Sequence, residues 1–227
     1  MWDWTLNWGR IRDGLFIGSC PMTTKDIDRI RTETGATALL SLQTDACRRP
    51  FGIDWEELRA HSEQIELAMV NSPMLDFDPP DQRRNLPKAV RNLHDLLAAG
   101  HIVYVHDTAS RSRAPLTTLG YMTFVEMRRP DDAMGEILEA RPDSIPSWEA
   151  YEGCRGDLLE ALRDYVMVRA YYLAQEETER SPDDHWLRAE REMIRDSFVI
   201  GRSLPPWRLD PNRCETDAEM RRESFAA

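Results

Sequence analysis

Four short apolar runs, each separated from the next by a segment of helical periodicity, constrain this chain more than any other feature. They are "GLFIGS" (14–19), "ATALLSLQ" (36–43), "ELAMVNSPM" (66–74) and "HIVYVH" (101–106). Runs of this length read as strands, and their alternation with helices predicts an α/β layer fold with a central mixed sheet flanked by helices. "TTKDIDRIRTETG" carries a threonine cap, puts Ile27 and Ile30 on one face and stops at Gly35. "LPKAVRNLHDLLAAG" repeats the plan, with Leu86, Val90, Leu93 and Leu97 on one face and Gly100 as the stop. Trp2, Trp4, Leu6 and Trp8 alternate with polar residues, which predicts a half-buried N-terminal strand whose tryptophans pack in the core or at a contact.

Beyond residue 106 the pattern is helical. A long amphipathic stretch aligns Leu158, Leu162, Tyr165, Val166, Ala170 and Leu173, and another helix is capped between Ser181 and Asp184. The expected organisation is one α/β domain over 1–155, a helical extension over 156–200 and a flexible tail over 201–227, where prolines and charges outnumber apolar residues.

Composition narrows the partners. The chain has 227 residues and a formal net charge of −11, and such an acidic surface disfavours nucleic acid and anionic membrane. Cys20, Cys47, Cys154 and Cys214 are widely spaced and form no CxxC pair, so neither a metal site nor a disulfide framework is expected. No cofactor is implied. The N-terminus lacks a basic segment followed by an apolar one, and a cytoplasmic location is the expectation. Nothing in the sequence specifies an oligomeric state.

The chemistry is concentrated in "HIVYVHDTASRSRAPL" (101–116). A strand ending at His106, six residues without helical pattern and a helix from Ala114 would turn the N–H groups of Thr108, Ala109, Ser110, Arg111, Ser112 and Arg113 into one concavity. The helix terminus adds partial positive charge there. That nest suits a phosphate-sized dianion, and the planar fork of Arg113 could hold two of its oxygens.

"VYVHDTASRSRAP" resembles the HCxxGxxR loop of the cysteine-dependent dual-specificity phosphatases, and its ending resembles the glucan phosphatase branch. The resemblance continues through "GSCPMTTKDIDRI", "LLSLQTD", "FGID", "LDFDPPDQRRNLP" and "EARPDSIPSWEA". It implies the dual-specificity-phosphatase fold, with Arg113 as the phosphate-holding arginine and Asp76, 31 positions before residue 107, as general acid. It also implies a structural His106 and a sugar contact from Phe77; in "DSIPSW" Ile145 stands where the family carries an aromatic before the proline, and Trp148, two residues beyond Pro146, and Trp55 are the further candidates for a substrate-binding platform.

Two positions depart from the pattern. Asp107 stands where the family has its nucleophilic cysteine, and Ser110 stands where it has glycine, so a side chain sits at a point of backbone strain. The Asp107 carboxylate has two oxygens able to take the loop amides for themselves. It would also repel phosphate by about 4 kcal/mol for unit charges about 4 Å apart at an effective dielectric of about 20. The expectation is a pseudophosphatase that binds a phosphorylated carbohydrate or phosphoprotein, or acts as a scaffold. The competing expectation is an active phosphomonoester hydrolase, either with Asp107 as nucleophile or with a native cysteine replaced by engineering.

Overall fold

The computed structural model describes residues 4–200. Trp2 and the expected tail over 201–227 lie outside the described residues.

The elements follow as β1 (Trp8–Arg12), β2 (Leu15–Gly18), α1 (Thr24–Thr34), β3 (Ala38–Ser41), α2 (Asp45–Arg48), α3 (Trp55–Gln64), β4 (Ala68–Asn71) and α4 (Pro79–Ala98). They continue with β5 (Val103–His106), α5 (Arg113–Gly120), α6 (Pro130–Ala140), α7 (Trp148–Glu176) and α8 (Pro182–Val199). A 3-10 turn over Arg49–Phe51 extends α2, and a π turn over Tyr121–Val125 extends α5. The five strands lie in the order β1-β2-β5-β3-β4, antiparallel between β1 and β2 and parallel elsewhere. This is the mixed sheet with flanking helices that the alternating pattern predicts.

β5 sits at the centre of the sheet and is buried along its whole length. Val103 and Val105 face the core shared with α4, α5 and α7, while Tyr104 faces the core beneath α1 and α3. Helices therefore cover both faces, as parallel strands require. Gly18 on β2 is forced by this arrangement. A β-carbon there would lie 1.9 Å from the Tyr104 hydroxyl, which donates to Ser19 O at 2.9 Å.

The N-terminal strand is displaced from its expected place. The ladder begins at Trp8, paired with Gly18, because β2 ends there; Asn7 N–H is instead satisfied by the Ser19 hydroxyl at 3.0 Å. Trp4, Leu6 and Trp8 pack against the core on the α1 side, and Trp8 meets Tyr104 edge-on. α4 starts seven residues earlier than the apolar pattern suggests. Asp78 accepts from Asp81 N–H, and Pro79 and Pro80 supply preset φ angles in the first turn, where no amide partner is missed.

α7 is continuous across residue 155, so the expected domain limit falls inside a helix. Leu158, Leu162, Val166 and Leu173 of α7 join Ala189, Ile194 and Phe198 of α8 in the same core that covers the sheet. Among the described residues no helix is long and apolar enough to cross a membrane.

Candidate active site

The loop 107–112 leaves the C-terminal end of β5, the central strand, and enters α5 at Arg113. Ligand sites of open α/β sheets form at this edge, outside the carboxyl ends of the strands. Here a cleft of about 900 Å3 opens between this loop, the β4–α4 connection, the turn after α2 and the α6–α7 connection.

Asp107, 3% exposed, fills the loop from within. One carboxylate oxygen accepts from Ala109 N–H at 2.9 Å and from Ser110 N–H, and the other accepts from Ala114 N–H at 3.0 Å. Three amides that face the loop's interior thus end on the protein's own carboxylate. Ser110 has a positive φ of 58° and a buried hydroxyl with no partner. Both are costs that glycine would not incur.

Arg113 is 1% exposed and splits its fork between backbone and side chains. Nη1 donates to Met74 O at 3.1 Å and to Cys47 Sγ at 3.1 Å, and Nη2 donates to Asp76 Oδ2 at 2.9 Å. Its Nε has no partner. Arg113 and Asp76, expected to serve a ligand, are therefore paired with each other. Even so, the Asp76 carboxyl lies above its ordinary range: burial raises it most, Arg113 opposes this, and the negative Asp107 adds to the rise. Asp76 is positioned to keep a proton longer than an exposed aspartate would.

The other expected residues are distributed unequally. Thr108 lines the cleft, and its hydroxyl accepts from Gln43 Nε2 at 3.0 Å; Ala109, Arg111 and Ser112 also line it. Phe77 stands at the mouth, 90% exposed and with φ 56°, a left-handed backbone unusual for an aromatic. Trp148 opens α7 next to the lining residues Ile145–Ser147 but packs edge-on against Tyr151, and it is not part of the lining. Trp55 stacks under the Arg48 guanidinium, 4.4 Å from ring to carbon, away from the cleft. Cys47 and Gln82 line the cleft although no spacing in the sequence marks them.

His106 is fully buried, its Nδ1 only 3.4 Å from Asp107 O and its Nε2 without a partner. Burial pushes its pKa down to about 4. Between that value and the ordinary value near 6.5, the unfolded chain binds a proton that the folded chain refuses, so stability falls as pH falls. The linkage amounts to about 3 kcal/mol across that window. Urea unfolding at pH 7 and pH 4.5 should show a smaller acid loss in His106→Gln than in the parent. An equal loss in both proteins would mean that the imidazole does not set it.

No protein-family model matches the chain. It is 30% identical over 165 residues to the amyloplastic phosphoglucan phosphatase DSP4 of Castanea sativa, which covers 72% of this chain and 44% of that one. It is 28% identical over 130 residues to laforin of Mus musculus, covering 53% of this chain and 39% of that one. The chain thus spans less than half the length of these curated relatives. Among solved structures, PTPMT1 superimposes with a TM-score of 0.54 at 20% identity, over 65% of this chain and 90% of that one. Human DUSP28 gives 0.51 at 17% identity, over 66% and 90%.

Proposed function

We propose that this chain, a homologue of the phosphoglucan phosphatases with the dual-specificity-phosphatase fold, is a pseudophosphatase. It binds a phosphorylated carbohydrate or phosphoprotein in the cleft without cleaving it. One observation carries the proposal: the Asp107 carboxylate spans the amides of Ala109, Ser110 and Ala114, which a reacting phosphoryl group would need. A carboxylate committed to three N–H donors is a weak nucleophile. It also brings negative charge to the place where phosphate would sit.

Some capacity for an anion remains. Arg111 adds an exposed cation to the lining, and Arg113, itself buried and outside the lining, would have to give up its pairing with Asp76 to take a ligand oxygen. The exposed ring of Phe77 supports a carbohydrate ligand, since flat faces stack on sugars and the relatives' names specify phosphoglucans.

Tungstate titration by calorimetry tests the anion site. Parent protein should bind, and a folded Arg113→Ala should bind at least tenfold more weakly. Equal and negligible heats from both would leave only a scaffold. Phe77→Ala should weaken binding to soluble glucan by about 1 kcal/mol, the size of one lost aromatic contact. A parent that binds no glucan would instead favour a phosphoprotein ligand.

The raised Asp76 carboxyl favours a second reading, an active phosphomonoester hydrolase with Asp107 as nucleophile, because such an enzyme needs a protonated acid. Turnover of p-nitrophenyl phosphate that vanishes in Asp107→Asn would establish it.

A further inference from the structure

Cys47 lies in α2, 66 residues before Arg113 in sequence, yet its sulfur accepts hydrogen bonds from Arg113 Nη1 at 3.1 Å and from the Thr44 hydroxyl at 3.3 Å. It is partly exposed and lines the cleft, whereas Cys20 and Cys154 are buried. Burial tends to raise the Cys47 thiol, but the bonds from Thr44 and Arg113 and the guanidinium charge outweigh it, and the net shift is downward. Burial pushes Cys20 up to about 12 and Cys154 up as well.

A second observation points to a ligand beside this thiol. Gln82, 1% exposed, lines the same cleft, and its carboxamide oxygen has no partner while its nitrogen donates to Leu75 O. An acceptor left open in this way calls for an N–H or O–H donor. Arg111 is an exposed cation in the same lining. A ligand that brings amide N–H groups and carboxylates would complete both.

We propose that Cys47 is a covalent modification site for a small acidic peptide disulfide of the glutathione class, seated in the cleft. The thiolate attacks one sulfur of the disulfide, and the new S–S bond forms as the old one breaks. The departing thiolate takes a proton from water; the disulfide is the oxidant, and a free thiol reverses the step. The attached peptide occupies the cleft and shuts out other anions.

The test treats the full chain with oxidised glutathione at pH 7 and maps the modified peptides by mass spectrometry. Cys47 should be modified at least tenfold faster in the folded protein than in the same chain in urea. The pH profile of its rate should have a midpoint below the ordinary thiol value of about 8.5. Gln82→Leu should slow glutathionylation several-fold while iodoacetamide alkylation of Cys47 stays unchanged, which separates ligand recognition from thiol reactivity. Modification that maps to the other cysteines, or that is no faster in the folded chain than in urea, would overturn the proposal. These readouts need no phosphate binding, so a parent that ignores tungstate would remove the phosphate-binding reading and leave this proposal standing.

Discussion

Asp107→Cys is expected to turn the chain into a measurable phosphatase, and Asp107→Cys with Ser110→Gly into a faster one. The sulfur would take the place of a carboxylate that already gathers the N–H groups of Ala109, Ser110 and Ala114. Those donors and the N-terminus of α5 would hold it as a thiolate near neutral pH. A thiol reaches one atom less than a carboxylate, which leaves room in the loop for phosphate. Ser110→Gly removes a side chain from a residue at φ 58° together with its unpartnered buried hydroxyl. The double variant should therefore gain speed over Asp107→Cys without a further loss of stability.

Asp76 completes that expectation. The incoming phosphoryl group competes for Arg113 and frees Asp76 from its 2.9 Å pairing, so the carboxyl can protonate the leaving oxygen. Its pKa is raised, so the acid form persists to higher pH than in an ordinary aspartate, and the alkaline decline in rate should begin correspondingly late. Asp76→Asn on the double-variant background should slow alkyl phosphates by 10²–10⁴-fold, the usual range for a general acid, and slow p-nitrophenyl phosphate much less. A folded double variant that cleaves neither substrate would show that the site has lost more than its nucleophile.

Much of this fold is legible in the sequence. Parallel strands buried on both faces read as continuous apolar runs, and β3 and β5 announce themselves that way; β2 and the half-buried edge strand β4 are short apolar runs as well. α3 does not, because only Leu58 and Ser62 of "WEELRAHSEQ" are buried, too few to form a stripe. The early start of α4 was hidden because "DPPDQ" reads as a loop until Asp78 is seen to cap it. In the site, loop chemistry is local, so the plugging by Asp107 and the strain at Ser110 follow from neighbours in sequence. The contacts Arg113–Cys47 and Arg113–Asp76 join residues 66 and 37 apart; the resemblance brings Asp76 to the site of Arg113, but nothing in the sequence marks Cys47 or the direct pairing. The aromatics divide for the same reason: Phe77 reaches the cleft, whereas Trp148 packs edge-on against Tyr151.

Asp107→Ala should move stability and ligand affinity in opposite directions. Removing the carboxylate strips the acceptor from three loop amides, and each buried donor left open costs about 1–3 kcal/mol unless water enters. Because the loop borders an open cleft, water offsets part of that loss, and a net destabilisation of about 2–4 kcal/mol is expected by urea unfolding. The same change removes a negative charge from the anion's seat and returns Ala109, Ser110 and Ala114 N–H to a ligand. Tungstate should then bind at least tenfold more tightly than to the parent, even if only a third of the repulsion of about 4 kcal/mol is recovered. Saturating tungstate should restore much of the lost stability, since a ligand that binds only the folded state stabilises it in proportion to ln(1 + [L]/Kd). A variant that is destabilised but binds no better would mean that the loop cannot hold its shape without an internal carboxylate. Asp107 would then be a structural strut, and the site would no longer be a phosphate cradle with its own side chain inside it.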